Sequence, residues 1–518
     1  MSANKKIAKN TAFLYVRMLV VMGTSLYTVR VVLDALGVVD FGVYGVAAGL
    51  VALLAFLNGT MSQAAQRFLA IEMGTNNLDA LTKVFNATLL VHAGIALIVI
   101  IAAETIGLWI LNTKLAIPPD RMAGANFVYH CSVAVSAILI AQTPFNALIV
   151  AREEMWFFSL VSLVEAMLKL SVAYAVSHYA GDRLELYASL FLGASAFIAA
   201  TYVCFCLKRA PEARINIHFS KNIYHSLAQF TGWSFIGNLS SSCRNQGSNL
   251  LLNVFFGVAA NASHGVMTQA QTAATSFLSS FQMAISPQIY KSYARRDMER
   301  MHALIFTGAK LNFALLSIIV VPAFHCMDYL LILWLKNPPQ HAAAFVKLML
   351  IMLLSESISQ PLMTAAAATG RIKWYQIIVG GTILLNIPIS YLAYQHGAGP
   401  TAFLYVAITI TIVTLAQRLL FLKRMINISL SSFLRAVIAP AAIISAAATC
   451  MLYMAQCWLS NPNSALECLS HSAALSTLTA VLCITLGLNR DERKALIEKA
   501  TDIYAMGPFG RGKDKDRR

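Results

Sequence analysis

Fourteen apolar stretches run through the 518 residues, near 11 to 35, 43 to 66, 84 to 111, 123 to 150, 156 to 179, 185 to 207, 227 to 256, 264 to 290, 303 to 325, 342 to 369, 374 to 395, 401 to 421, 434 to 457 and 470 to 488. This pattern constrains the fold more than any motif does. A helix needs about 20 mainly apolar residues to cross the hydrocarbon core. Inside that core every backbone N–H and C=O must be paired within the segment, which leaves helices as the spanning element here. Hydrophobic residues make up 58% of the chain and charged ones only 12%, outside the usual range of a soluble domain. The expected fold is an all-α polytopic membrane protein of about 14 transmembrane helices.

The net charge of +16 would suit a nucleic-acid partner if the basic residues formed one surface, but they follow the loops. With the N-terminus inside, 29 Lys and Arg fall in inner loops and tails and only four, Lys114, Arg121, Arg183 and Lys336, in outer loops. The split places both termini in the cytoplasm and removes the need for nucleic acid. Lys5, Lys6 and Lys9 ahead of an apolar run imitate a signal peptide. Arg17 interrupts that run and no small-residue cleavage site follows, so the first helix is read as uncleaved. Most of the nine cysteines lie within apolar runs, which is not a disulfide framework. Cys457 and Cys468 flank a short outer loop; free thiols at helix ends are favoured there over a disulfide. No Cys/His spacing suggests a metal.

Similar features recur at an offset of roughly 220 residues. Leu36-Gly37 with Gly42-Val43 matches Phe256-Gly257 with Gly265-Val266 at an outer turn, with the second turn placed near Asn261. Pro144 precedes Arg152 and Trp156 much as Pro361 precedes Arg371 and Trp374. Six helices is an even number, so the repeat is parallel, and such halves rock about a central site. The expected division is an N-terminal six-helix half (1–207), a cytoplasmic linker (208–225), a C-terminal six-helix half (226–423), helices 13 and 14 (434–488) and a basic cytoplasmic tail (489–518).

Polar residues within the spans mark the candidate site. Helix seven carries Ser234, Asn238, Ser242, Asn245, Asn249 and Asn253 at helical spacing, with Arg244 at the border of the stripe. An arginine at a helix centre costs about 2.5–3.5 kcal/mol on insertion scales, so this face must meet protein or water. Interhelical hydrogen bonding is the competing explanation, but the stripe is longer than one packing contact needs. Thr268, Thr272, Thr275, Ser279 and Gln282 repeat the pattern on helix eight, and Arg17, Thr24 and Thr28 share a face of helix one, expected to look toward helices seven and eight. Arg30 can pair with Asp34 one turn on. Glu165 and Lys169 stand at i,i+4 in the stabilising order, which favours a self-neutralised pair over a transport role. Lys310 lies two turns inside helix nine, where lining a cavity and snorkelling to the cytoplasm are both open. Glu356 can neutralise a buried cation or carry a coupling proton. No phosphate-cradling loop, carboxylate cluster or nucleophile elbow appears, so the chain is read as a transporter and not an enzyme.

The opening stretch, Asn10-Thr11, Val31, Leu36-Gly37, Asp40-Phe41-Gly42-Val43-Tyr44, Phe56-Leu57-Asn58-Gly59 and Gln66-Arg67-Phe68, resembles bacterial polysaccharide exporters of the O-antigen flippase type. These belong to the multidrug/oligosaccharidyl-lipid/polysaccharide (MOP) exporter superfamily, and the resemblance implies MATE-like, V-shaped halves around a cavity. It further implies alternating-access translocation of an undecaprenyl-pyrophosphate-linked oligosaccharide to the outer leaflet of the bacterial inner membrane, for surface polysaccharide such as O-antigen or capsule. Polysaccharide polymerase and assembly proteins would be the partners, and no cofactor is implied beyond coupling to H+ or Na+. On that reading Arg17, Arg244 and Lys310 bind substrate, Thr24, Thr28, Asn238, Asn245, Asn249, Asn253, Thr272 and Gln282 line the cavity, and Glu356, Glu165 and Lys169 serve as coupling or charge partners. A MATE-type cation-coupled multidrug exporter and a peptidoglycan-precursor flippase remain as alternatives. A membrane glycan polymerase or ligase ranks lower, because the outer loops lack catalytic residues.

Overall fold

The computed structural model describes residues 3–52, 56–75, 77–113, 117–214, 221–335, 338–458, 462, 464–487 and 493. The loop cations Lys114 and Lys336 and nearly all of the basic tail lie outside them. The described residues are helical, without a strand: α1 (Ala3–Ala52), α2 (Phe56–Thr75), α3 (Leu78–Ala102), α4 (Leu108–Thr113), α5 (Met122–Arg152), α6 (Met155–Ser177), α7 (Arg183–Arg209), α8 (Lys221–Ala294), α9 (Met298–His325), α10 (Met327–Leu335), α11 (Ala342–Thr369), α12 (Lys373–Leu384), α13 (Asn386–Gln395), α14 (Ala402–Ile426), α15 (Leu430–Phe433), α16 (Ala439–Trp458) and α17 (Ala465–Leu482). Eleven helical stretches among them are long and apolar enough to cross a bilayer, so the protein is a multi-pass membrane protein. The three expected spans missing from that set include both arms of α8. Those arms fall short because they carry the Asn/Ser/Thr stripes in place of aliphatic residues.

One of the long elements conceals a break. In α1 the helix is broken at Gly37, whose φ of 76° and ψ of 170° lie outside helical space. Only glycine adopts such a conformation without a steric penalty, so the outer turn expected from Leu36-Gly37 is a glycine-dependent corner. A built Cβ there meets nothing within 4 Å, so the constraint is conformational and not one of space. Gly37→Val should therefore cost about 1–3 kcal/mol, read as a lower midpoint temperature for the detergent-solubilised protein. An unchanged midpoint would contradict the glycine-dependent corner.

Contacts divide the chain into two compact units. The first comprises Met1–Asn245, Ser276–Leu304 and Met363–Leu385. Its core includes Val43, Ala47, Val51, Leu111, Val128, Tyr129 and Leu184, all buried, and a second cluster of Val32, Ala35, Leu36, Val172, Val176 and Tyr187 where α1 meets α6 and α7. A π-turn over Ala103–Gly107 leaves the Ala103 carbonyl off the regular ladder. The Tyr129 hydroxyl donates to it at 2.7 Å, and a Cβ on Gly107 would lie 2.1 Å from that hydroxyl. Glycine is thus required where the tyrosine closes the bulge.

The second unit comprises Gln246–Thr275, Ile305–Leu362 and Asn386–Arg518. Here α9 packs on α16 and α17 through Val321, Ala448, Met451, Ala455 and Leu475. Asn386 is fully buried. Its side chain accepts from Ser248 Oγ at 3.2 Å and donates to the Phe403 carbonyl at 3.2 Å, so the buried amide is satisfied on both sides.

Candidate functional site

Within the first unit, a seam of polar residues runs along α1 and α6. Toward the N-terminal end of α1 the Arg17 guanidinium lies over the Phe158 ring, 4.6 Å from the centroid. It borders an open groove of about 540 Å³ lined by Phe13, Val16, Trp156, Leu160 and Leu163. Nε of Arg17 is buried without a hydrogen-bond partner among the described residues, and Glu165 and Tyr202 are close enough to act on its charge. Farther along, Lys169 Nζ meets Glu165 Oε1 at 2.7 Å, and the ammonium also lies 5.4 Å from the Phe191 ring. Both side chains are more than a third exposed, so the pair contributes little stability, about 0–1 kcal/mol. At the other end the Tyr27 and Tyr174 hydroxyls share a hydrogen bond of 2.7 Å. Thr28 donates to the Thr24 carbonyl at 2.8 Å, which uses its proton inside the helix and leaves lone pairs for other donors. Tyr15 of α1 meets the second arm of α8, its ring tilted against Phe277 with centroids 4.6 Å apart. Arg17 is turned onto α6 instead.

On the first arm of α8, Asn238, Ser242 and Asn245 are exposed while Arg244 is only 9% exposed. No hydrogen bond or ion pair reaches the Arg244 guanidinium from any described residue, although α8 supplies no acid of its own. A buried guanidinium in that state is a strong anion receptor. It offers five donors in a fixed fork and pays little further desolvation when an anion arrives. Asn249 is half-buried and Thr272 exposed in the second unit, with Thr272 donating to Thr268 O at 2.9 Å. The side chain of Asn253 lies outside the described residues. Gln282 donates to Thr364 Oγ1 at 2.6 Å and to Ser286 Oγ at 3.0 Å, so it joins α8 to α11 as packing. Lys310 is 7% exposed and faces Val437, Pro440, Ile444 and Cys483, which places it against helices 13 and 14. Glu356 is half-buried on α11, with no ion pair among the described residues.

Sequence reading did not anticipate a reciprocal latch in the first unit. The helices α5 and α11, the fourth of each expected half, both end in a left-handed residue nine positions after a proline: Pro144 then Glu153 (φ 64°), and Pro361 then Gly370 (φ 72°). Each end is held by a helix of the other half. Arg67 of α2 donates from Nε to Ala367 O at 2.5 Å and from Nη2 to Ala368 O at 3.1 Å, capping the orphan carbonyls of α11. The guanidinium lies against both the Phe68 and the Phe230 rings, 4.6 and 4.8 Å from their centroids. Burial draws its pKa down to about 10, so it stays charged at neutral pH. Reciprocally, Glu153 at the end of α5 accepts from Lys291 Nζ at 2.5 Å and Gln288 Nε2 at 2.6 Å, both on α8. Arg295 Nε closes the set on Gly74 O at 3.0 Å. There a Cβ on Gly74 would stand 2.8 Å from that of Ala294. The sequence signal was present in the shared Pro spacing, but not which helix would answer it.

The MatE family model matches residues 234–392, from the Asn/Ser stripe of α8 through α13. An outward-facing multidrug resistance MATE family transporter of the MOP superfamily superposes with a TM-score of 0.71 at 13% identity, over 82% of this chain and 98% of that one. The fold is that of the MATE transporters. A mutant of the Vibrio cholerae MATE transporter gives 0.70 at 13% identity, over 82% and 97% of the two chains. A MOP superfamily transporter from Pyrococcus furiosus, described as having a binding pocket of reversed polarity that suggests a different function, gives 0.69 at 12% identity, over 84% and 99%. No curated protein matches the sequence significantly. The two-repeat layout expected from the sequence agrees with the MATE fold, whose representatives here are transporters and not enzymes.

Proposed function

We propose that this protein is a membrane exporter that works by alternating access and carries an anionic amphiphile, namely a polyprenyl-pyrophosphate-linked oligosaccharide, to the outer leaflet. The observation that carries the reading is Arg244: a buried guanidinium, unpaired among the described residues, set in a stripe of exposed amides and hydroxyls. A pyrophosphate is a compact polyanion that needs fixed forked donors, and sugars suit neutral amides and hydroxyls. The skewed distribution of loop charge supports a bacterial inner-membrane location with both termini cytoplasmic.

A second reading, cation-coupled multidrug export, has its own support. The family-model match and the multidrug resistance relative favour it, and Glu165 and Glu356 would supply the acids. Charge sign separates the two. In proteoliposomes, the protein should speed transbilayer movement of a fluorescent polyprenyl-pyrophosphate sugar at least tenfold over empty vesicles, and should leave a cationic dye unmoved under a proton or sodium gradient. Gradient-driven dye movement without lipid movement would overturn the flippase reading in favour of multidrug export.

A further inference from the structure

We infer that Cys326 and Cys468 form a disulfide at the outer end of the second unit, stapling the α9–α10 corner to α17. Cys326 occupies the bend between those two helices, held by its N–H to Pro322 O at 3.0 Å. Its thiol lies against the first turn of α17, 3.9 Å from Cys468 O and 3.6 Å from Ser472 Oγ. Both cysteines are free thiols here, and they stand near enough for each to act on the other's charge. Cys457, the exposed neighbour across the loop, makes no hydrogen bond among the described residues. Geometry selects pairs within a few ångströms and rejects the rest, so a separation of 142 positions in sequence is no obstacle once α17 packs on α9.

Two histidines flank the pair. The rings of His325 and His471 are 5.5 Å apart, and His325 Nε2 and His471 Nδ1 are buried without a hydrogen-bond partner among the described residues. His471 follows Cys468 by three positions, on the same helical face. An imidazole there can take a thiol proton as the sulfur becomes a nucleophile. Oxidation proceeds by exchange with a disulfide-bearing oxidant. One cysteine thiolate attacks that disulfide and expels a thiolate, and the second cysteine attacks the mixed disulfide and expels the other. The Sγ326–Sγ468 bond forms, the oxidant's S–S bond breaks, and the two protons end on its two thiols. Both cysteines are buried, at 0% and 6% exposure, once α17 is seated. The exchange therefore belongs to the period before this late helix docks, and the finished bond is shielded from reduction.

The inference rests on the proposed orientation, which puts this corner on the oxidising side of the membrane. The test is differential alkylation of the full-length protein from membranes, without reductant, followed by peptide mass spectrometry. Intact cells are labelled in parallel with an impermeant maleimide at the exposed Cys457. The expected result is a Cys326–Cys468 cross-linked peptide with all remaining cysteines alkylated, lost on Cys326→Ser with Cys468 becoming alkylated, and Cys457 labelled from outside. A fully alkylated Cys326 and Cys468, or a Cys457–Cys468 cross-link, overturns the staple even where Cys457 labels from outside. Free thiols together with a Cys457 that labels only after lysis overturn the staple and the orientation at once.

Discussion

Arg244→Ala is expected to lower export about tenfold to a hundredfold while the protein inserts and accumulates normally. A charge-assisted hydrogen bond to an anion contributes about 1.5–3 kcal/mol, which corresponds to a factor of about ten to a hundred. Arg244→Lys should keep a part of the activity, since it retains the charge and loses the fork. Abundance separates this role from a structural one. Were Arg244 half of a buried ion pair, removing it would strand the partner charge and lower the amount of folded protein. No described residue pairs with it, so its loss should cost no stability. Normal export by Arg244→Ala, or an abundance loss restored together with export by adding Glu356→Ala, would sink the substrate-binding role.

Breaking the reciprocal latch should have the second-largest effect, and on conformation instead of substrate affinity. Glu153→Ala leaves Lys291 and Gln288 facing an empty site; with the Lys291 side chain still 17% exposed, the cost is about 2–3 kcal/mol. Arg67→Ala uncaps the last carbonyls of α11 and removes the cation–π contacts with Phe68 and Phe230, for a similar amount. A few kilocalories suffice to move a two-state equilibrium by orders of magnitude. Cysteines placed near Gly74 and Gly370 should then react with a maleimide from the cytoplasmic side at least tenfold faster in Glu153→Ala than in the parent. Because the latch is reciprocal, Arg67→Ala with Glu153→Ala should open it further than either alone. Equal labelling rates in parent and variants would show that these contacts do not gate that face.

What the sequence determined by itself was whatever depends on local composition. Apolar runs of membrane length dictate helices, because a lipid solvent leaves the backbone no other way to pair its polar groups. The Gly37 corner was legible because one residue type tolerates that φ, and the repeat was legible because Pro144 and Pro361 sit at matching distances from their helix ends. The stripe around Arg244 was legible from period alone. The tertiary structure decided everything that depends on which faces meet. Arg17 turned onto α6 and not toward α8, since two residues along a helix change direction by about 200° and packing chooses which side is buried. Gln282 was spent on Thr364, and Lys310 on the wall facing helices 13 and 14. Arg67 read as one more inner-loop cation, yet it caps a helix 300 residues away. Cys468 lay in sequence beside Cys457 and in space beside Cys326. Composition and period report the needs of one helix at a time. Contacts between helices far apart in the chain leave no periodic mark, because each partner's own neighbours say nothing of the side chain that will answer it.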